Sequence, residues 1–449
     1  MYLKTQKFLI LGVSKSGSAV ANYLLENGAQ CYLYEDLKAS KIQACIEALC
    51  KKGAKWVEKE QVDGVLKDID VLVISPGVAI NHPVAVKAKE QNVRIIGELE
   101  FGFNQFNPVI VAVTGTNGKT TTVSLINAIL KENQTQSLLV GNIGKPITGE
   151  IKKINKNTVC VTEVSSFQLE STHSFCPHIS CILNIAPDHL ERHYSMENYI
   201  FLKKKIFKCQ TASEYTVLNF DDNTVKEFSA ECKAKTLFVS LKEQVDGAYV
   251  SNGKIYYFEE YILDVNELSL NGEHNVYDSL FAICVSKLLG VPNRAICRAL
   301  KNFKGVRHRM ELVAEKNGVK YFNDSKATNT ASTISAIDTM KAPTVIILGG
   351  SEKGENYELL FDKIKKSQIK HTVITGASRF NMIRSAEKVG YTHFTVTQDF
   401  SFAVKIASML ANDGENVLLS PACASFDCFG NFEERGDVFI NEVKKVCEQ

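Results

Sequence analysis

Apolar residues come along this chain in short unbroken runs that end in glycine. Phe8-Leu-Ile-Leu-Gly12, Val109-Ile-Val-Ala-Val-Thr-Gly115, Thr344-Val-Ile-Ile-Leu-Gly-Gly350 and Thr372-Val-Ile-Thr-Gly376 are the clearest. A strand with one wet face alternates apolar and polar positions. A continuous run marks a strand covered on both faces, as in a parallel sheet. Helical spacing follows the runs, for example over 18–27 and 120–132. Repeated strand, turn and helix predict an α/β protein throughout. The repeats share no fixed period.

Polar punctuation divides the pattern. Phe103-Asn-Gln-Phe-Asn-Pro108 interrupts it first, and the basic stretch Lys304-Gly-Val-Arg-His-Arg309 precedes a fresh strand pattern. Three domains are expected, at 1–106, 107–306 and 307–449, each of ordinary size.

Composition narrows the class. Of 449 residues, 45% are hydrophobic and 23% charged, which excludes an intrinsically disordered chain. The formal net charge of +2 provides no field to gather nucleic acid or an anionic membrane, and neither is expected as a partner. No apolar run approaches the ~18 residues that span a bilayer. The start imitates a secretion signal, with Lys4 and Lys7 before an apolar stretch. That stretch is shorter than the ~7–15 residues such signals carry and ends in a turn. It reads as a first strand, and the protein as cytoplasmic. Thirteen cysteines are scattered without any Cys-x-x-Cys spacing, so reduced thiols packed as small hydrophobes are expected rather than zinc sites or disulfides.

The strongest local signal is Thr114-Gly-Thr-Asn-Gly-Lys-Thr-Thr121, between an apolar strand and a helical run. Glycines let backbone N–H groups turn in around phosphate oxygens, and a helix N-terminus favours the anion. In such a loop Lys119 reaches the β- and γ-phosphates and Thr120 meets Mg²⁺. Residues Gly115, Thr116, Asn117, Gly118, Lys119, Thr120 and Thr121 are therefore expected to bind ATP. Val113 stands where the general pattern has its first glycine. The metal needs a carboxylate at a neighbouring strand end, and Thr158-Val-Cys-Val-Thr-Glu163 offers Glu163. Asp188 and His189, in a loop after another apolar strand, could complete a metal or phosphate site.

The turn Gly12-Val-Ser-Lys-Ser-Gly17 looks like a dinucleotide fingerprint, with Glu35 and Asp36 about twenty residues on. Its middle glycine is replaced by Ser14, whose Cβ stands where the backbone must approach a pyrophosphate. A nicotinamide-dependent dehydrogenase is thereby disfavoured. A different nucleotide, with Glu35 or Asp36 beside its sugar or base, fits the turn, and so does a purely structural role.

With these motifs in place the chain resembles the Mur ligase family. The runs Arg307-His-Arg309, Asn323-Asp-Ser-Lys-Ala-Thr-Asn329, Leu348-Gly-Gly350 with Lys353, and Ser420-Pro-Ala-Cys-Ala-Ser-Phe-Asp427 with Asn431, Phe432, Arg435 and Gly436 are similar to its D-glutamate-adding branch. The resemblance spans residues 8 to 440, nearly the whole chain. It implies a Rossmann-like N-terminal domain that binds a UDP-linked substrate, a P-loop ATPase-like central domain, and a Rossmann-like C-terminal domain that binds an amino acid. The implied reaction is an ATP-dependent amide ligation in peptidoglycan precursor synthesis. The carboxylate of UDP-N-acetylmuramoyl-L-alanine becomes an acyl phosphate, which the amine of D-glutamate attacks through a tetrahedral intermediate. A cytoplasmic monomer is the implied form.

Roles follow where residues match. Thr120 and Glu163 look like ligands of one Mg²⁺. His189 resembles the ligand of a second, shared with a carbamylated lysine in Lys203-Lys-Lys205; the spacing to Ile206 favours Lys203, with Lys204 one residue away. Lys119, His189 and Lys203 are thus the implied catalytic set. Gly12, Ser16, Gly17, Glu35 or Asp36, Gly77 and Asn142 look like contacts to the UDP-substrate. Asn275, Arg309, Asp324 and Lys326 resemble ATP-side residues, and Thr328, Lys353, Ser425 and the Phe432 backbone the D-glutamate pocket, where two carboxylates call for cations and hydroxyls.

One departure stands out: three residues after Asn275 the family has a second asparagine, and this chain has Asp278, a charge awkward beside a nucleotide. Cys423, inside a binding-type loop, is the thiol expected to matter under oxidation. Sister ligases that add another amino acid, or folylpolyglutamate synthase, share the phosphate loop, and only the third block separates them. A P-loop regulator that forms no bond would not need polar motifs across three blocks.

Overall fold

The structure is a computed structural model that describes residues 3–36, 40–106, 108–270, 272–352 and 356–448, with Ser40 and Lys41 as backbone only. Among these residues the strands form three sheets. The first holds β1 (Lys7–Leu11), β2 (Gln30–Tyr34), β3 (Lys55–Trp56), β4 (Val71–Ile74) and β5 (Arg94–Gly97), all parallel, in the order β3-β2-β1-β4-β5.

The second sheet holds β6 (Val109–Thr114), β7 (Ser137–Gly141), β8 (Val159–Glu163), β9 (Ile179–Ile182), β10 (Tyr215–Asn219), β11 (Lys235–Ser240), β12 (Gly247–Ser251), β13 (Lys254–Tyr257) and β14 (Glu260–Asp264). Its order is β14-β13-β12-β11-β10-β9-β6-β8-β7. The third holds β15 (Glu311–Lys316), β16 (Val319–Asn323), β17 (Thr344–Gly349), β18 (Ile369–Thr375), β19 (Phe394–Val396) and β20 (Asn416–Leu419), in the order β15-β16-β20-β17-β18-β19. In the first two sheets the chain leaves its first strand in both directions. Strand order therefore reverses beside β1 and β6, where open α/β sheets take ligands beyond the strand C-termini.

Burial on both faces accounts for the continuous apolar runs. Phe8 and Ile10 enter one core with Val20, Leu24 and Val71, while Leu9 and Leu11 enter another with Leu66, Leu72 and Ile74. On β17, Ile346 and Leu348 divide from Val345 and Ile347 in the same way. All thirteen cysteines are free thiols, five of them buried. Among the described residues no helix is long and apolar enough to cross a membrane.

Antiparallel hairpins interrupt the expected strand–helix alternation. Asn252-Gly253 joins β12 to β13 and Asn317-Gly318 joins β15 to β16, with φ of 49°, 73°, 50° and 73°. Two-residue turns with both φ positive match the twist of paired strands, and Asn-Gly adopts them at least cost. The signal was present in the sequence; periodicity alone passes over it.

The fold divides into two compact units. The first contains 1–185, 192–267 and 277–302, the second 186–191, 268–276 and 303–449. The first two sheets share the first unit, and their junction is polar and buried. Glu100, fully buried on the helix Glu98–Phe103, accepts from the N–H groups of His173 (3.1 Å), Ser174 (2.9 Å) and Phe175 (3.0 Å). Burial pushes its carboxyl up, but the bonds from Ser174 and the backbone outweigh that and hold it below the usual value.

Candidate active site

The phosphate-type loop lies between β6 and the helix Lys119–Glu132. Gly118 is left-handed, φ 86°, at the helix N-cap, and a Cβ there would stand 2.4 Å from Asp278 Oδ1. A Cβ on Gly115 would meet that of Leu183 at 2.9 Å. The loop is therefore bare backbone at both points. Asn184 supports it from behind: its carbonyl accepts from the Thr116 N–H at 3.0 Å and its Oδ1 from the Asn117 N–H at 2.9 Å. Lys119 curls over the loop, Nζ donating to the carbonyls of Gly115 at 2.9 Å and Thr116 at 2.6 Å.

Sheet register brings the carboxylate to the loop. Glu163, at the end of β8, pairs across to Val113 on β6 and to Gly141 on β7. Thr120 Oγ1 donates to Glu163 Oε2 at 2.7 Å, and Asn142 Nδ2 to Oε1 at 2.7 Å. Of the three consecutive lysines, Lys203 is the one at the loop. It is buried and donates to Thr114 Oγ1 at 3.0 Å and to the Gly115 carbonyl at 2.8 Å. Lys204 pairs with Glu231, and Lys205 donates to the Glu170 carbonyl.

These residues fit a triphosphate with a hard cation. Thr121 carries a buried hydroxyl with no hydrogen-bond partner, beside a hydroxyl–carboxylate pair and a loop that excludes Cβ atoms. Among the described residues no three His, Cys, Asp or Glu side chains form a metal cluster. Mg²⁺ needs none, since it is bound through one or two protein oxygens together with phosphate. Asp278 proves to be part of the scaffold: it is buried and accepts from Thr122 Oγ1 at 2.8 Å. A negative charge there is favoured by the N-terminal dipole of the helix.

The turn after β1 has the same outline and other chemistry. A Cβ on Gly12 (φ 90°) would come within 2.8 Å of Val78 and 2.9 Å of Ser75, and one on Gly17 within 1.9 Å of the Gly12 carbonyl oxygen. The Val13 N–H donates to Glu35 Oε2 at 2.8 Å. Asp36 is held separately, accepting from the Tyr34 hydroxyl at 2.8 Å and facing His82 Nε2 at 2.6 Å. The His82 bond first, then that of Tyr34, holds its carboxyl below the usual range against the effect of burial. Because the Val84 N–H donates to His82 Nδ1, the proton of the neutral ring sits on Nε2. Glu35 thus secures the turn, while Asp36 remains 56% exposed at the end of β2. Ser16 is half-buried, Gly77 borders open space, and Lys15 donates to the Gly144 carbonyl near Asn142.

In the second unit Asp324 follows β16, accepting from Ser420 Oγ at 2.8 Å and the Met310 N–H at 3.3 Å. Burial raises its carboxyl to about 6, against the pull of Arg309. Arg309 Nε is itself buried without a partner. Burial, with Arg309 adding to it, lowers His274 to about 4, so that ring is neutral; Asn275 beside it in the chain is also buried. Lys326 Nζ lies 4.7 Å over the Phe432 ring, whose backbone carbonyl accepts from Ser325 Oγ at 2.8 Å. The Thr328 N–H donates to the Lys326 carbonyl at 2.9 Å, and the buried Ser425 accepts from the Phe429 N–H at 2.9 Å. Lys353 falls outside the described residues. His189 (φ 55°) belongs to the short 186–191 segment of this unit, Nε2 3.6 Å from Asp188 Oδ2. Asp188 in turn accepts from Asn329 Nδ2 at 3.4 Å.

Two residues depart from what their motifs predicted. Arg435, nearly fully buried, donates to the Ser325 carbonyl at 2.8 Å and the Ala424 carbonyl at 3.1 Å, tying the Asp324 loop to the 424–425 loop. Burial lowers its guanidinium to about 10. Cys423 is not the oxidation-sensitive thiol that its place in a binding-type loop suggested. It is buried between the Tyr357 hydroxyl (3.1 Å) and Ser378 (3.2 Å), and burial pushes it up to about 11, which leaves it inert at neutral pH.

Known proteins resemble the chain along nearly its whole length. The chain matches the family models described as Mur ligase MurD-like N-terminal domain (residues 6–97), Mur ligase middle domain (113–286) and Mur ligase glutamate ligase domain (308–423). It is 38% identical over 451 residues to a UDP-N-acetylmuramoylalanine–D-glutamate ligase of Lachnospira eligens, covering 99% of this chain and 100% of the relative. A protein of the same name from Clostridioides difficile is 38% identical over 455 residues, with 99% and 100% covered. Among solved structures, the UDP-N-acetylmuramate–alanine ligase MurC of Thermotoga maritima superposes with a TM-score of 0.62 at 18% identity, over 98% of this chain and 100% of that one. The MurF ligase of Thermotoga maritima in complex with ADP gives 0.62 at 16%, over 99% and 100%. At such identities the structural likeness concerns the fold.

Proposed function

The chain belongs to the Mur ligase family, and we propose that it is the member that joins D-glutamate to UDP-N-acetylmuramoyl-L-alanine at the expense of ATP, as a monomeric cytoplasmic enzyme of peptidoglycan precursor synthesis. The observation that carries this reading is the chain of bonds Thr120–Glu163–Asn142 beside a Cβ-free loop with its lysine. The full-length likeness to ligases of that name selects the amino acid.

The chemistry requires two anions to meet. The substrate carboxylate attacks the γ-phosphorus, ADP leaves, and an acyl phosphate remains. The amine of D-glutamate attacks its carbonyl, and phosphate departs from the tetrahedral intermediate to leave the amide. Lys119 and those N–H groups of residues 115–121 that Asn184 does not take hold the phosphates and offset their charge, which is the main requirement of phosphoryl transfer. Thr120 and Glu163 would hold Mg²⁺, whose positive charge neutralises the phosphate oxygens. Lys203, as its carbamate, and His189 are assigned to a second Mg²⁺ on the resemblance alone.

On the substrate side, Gly12, Ser16, Gly17 and Gly77 receive the UDP portion, with Asp36 rather than Glu35 facing it, and Asn142 the muramoyl portion. Asn275, Arg309, Asp324 and Lys326 serve the nucleotide; the unpartnered Arg309 Nε supports a role in holding a phosphate. Thr328, Lys353, Ser425 and the first-turn N–H of Phe432 receive the carboxylates of D-glutamate. The test is phosphate release with UDP-N-acetylmuramoyl-L-alanine and a panel of amino acids. D-glutamate is expected to be preferred over L-alanine, L-lysine and diaminopimelate; preference for another amine would overturn the assignment within the family.

A further inference from the structure

Arg192 opens the second stretch of the first compact unit, and its side chain is 14% exposed. Its guanidinium reaches two separate pieces of chain. Nε and Nη2 donate to the two carboxylate oxygens of Glu170, at 3.0 and 2.6 Å. Nη2 also donates to the Val78 carbonyl at 2.9 Å, and Nη1 to the Gly77 carbonyl at 3.4 Å. The cation lies 4.4 Å from the centre of the Phe167 ring. Glu170 closes the helix Ser166–Glu170, which begins three residues beyond Glu163, and is itself 9% exposed. Gly77 and Val78 belong to the loop after β4.

That loop shapes the first glycine turn. Ser75 Oγ donates to the Gly12 carbonyl at 2.6 Å, and Val78 Cγ2 stands 2.8 Å from where a Gly12 Cβ would be. Whatever fixes the carbonyls of Gly77 and Val78 therefore fixes the mouth of the turn. We propose that Arg192 is the positioning residue of the UDP-substrate site, clamping the 75–78 loop of the first sheet to the helix behind Glu163. The inference rests on the reading of the Gly12–Gly77 surface as the place of the UDP portion.

A planar fork is needed for this work. One edge of the guanidinium takes a carboxylate with two parallel bonds, and two of its remaining N–H groups take two consecutive carbonyls. A lysine offers a point charge that satisfies one partner at a time. Arg192 is committed to Glu170 and two backbone carbonyls, so its loss acts on substrate recognition before it acts on chemistry.

The test is Arg192→Lys in the full-length enzyme, with steady-state kinetics in all three substrates and calorimetric titration of UDP. KM for UDP-N-acetylmuramoyl-L-alanine is expected to rise about tenfold or more, with the KM values for ATP and D-glutamate within about twofold and kcat within about threefold. UDP affinity should fall by a similar factor. Glu170→Gln, which keeps the guanidinium and both carbonyl bonds, should show the same pattern with a smaller rise, and it carries the test if the lysine variant fails to fold. Unchanged UDP affinity, or three KM values rising together, overturns the inference while the functional reading stands. A wild-type enzyme that does not bind UDP or its muramoyl-alanine conjugate removes the reading and this inference with it.

Discussion

Two strand–glycine–helix turns of this molecule share an outline and differ in charge. After β1 the turn satisfies its Val13 N–H with an internal carboxylate, Glu35, and its glycines serve close packing against Ser75 and Val78. After β6 the turn points a lysine back over its own carbonyls and sets a threonine against Glu163. The first turn closes on a carboxylate of its own; the second closes on a lysine. The same backbone motif can thus close on a carboxylate or leave a lysine and a hydroxyl at its mouth. The side chains one strand away decide which.

The contrast can be broken most severely at the lysines. Lys119→Ala should lower turnover by about 10²–10³-fold, the usual cost of removing a preorganised charge stabiliser, as read by phosphate release. Lys15→Ala, in the first turn, should change it by less than about threefold, because its bond to the Gly144 carbonyl is exposed. Equal losses would erase the distinction.

Next come the glycines. Gly17→Ala should destabilise the enzyme by about 2–3 kcal/mol, because its Cβ would sit 1.9 Å from a carbonyl oxygen. Gly77→Ala, facing open space, should leave stability within about 0.5 kcal/mol yet raise KM for the UDP-substrate. Denaturant melts of both variants check the first statement, and kinetics the second.

A pH series sharpens the difference between substrates. Asp324, raised to about 6, gains a proton on acidification, while Arg309 and Arg435 facing it stay charged. KM for ATP should climb as pH falls below about 6, by no more than about tenfold per unit, and level off above neutrality; Asp324→Asn should flatten the curve. Asp36 is shifted the other way and stays ionised over this window, so KM for the UDP-substrate should lack the step. The smallest effect is expected from Glu35→Gln. Exchanging a charged acceptor for a neutral one at the Val13 N–H should cost about 0.5–1 kcal/mol. UDP affinity should hold or improve slightly as the internal anion is lost, and a tenfold loss would mean that Glu35 meets the ligand itself.

Much of the fold was legible because burial on both faces of a parallel sheet writes itself into a strand as an unbroken apolar run, as in Phe8–Leu11 and Thr344–Leu348. The hairpins at Asn252-Gly253 and Asn317-Gly318 were legible too, by turn chemistry rather than by periodicity. The phosphate loop could be read because its requirements are local: bare backbone, a lysine and a hydroxyl within seven positions. What stayed hidden were relations across strands. Spacing to Ile206 favoured Lys203 over Lys204 without showing their partners; helical phase turns the one into the buried core beside Gly115 and the other toward Glu231. Cys423 was expected to matter under oxidation and is enclosed by Tyr357 and Ser378.

By itself the sequence determined the α/β class, the glycine–lysine–threonine loop after β6 and the family to which the chain belongs, since each depends on residue types at short, fixed spacings along one strand–turn–helix unit. The tertiary structure alone decided which of Glu35 and Asp36 faces outward, that Asp278 serves the helix Lys119–Glu132, that Asp324 is buried enough to titrate near 6, and that Arg192 joins Glu170 to the loop after β4. Those outcomes depend on groups tens of residues apart competing for the same donors in a place from which water is excluded. Hydrogen bonds and desolvation act at contact distance, and contact between distant segments exists only after the sheets have assembled.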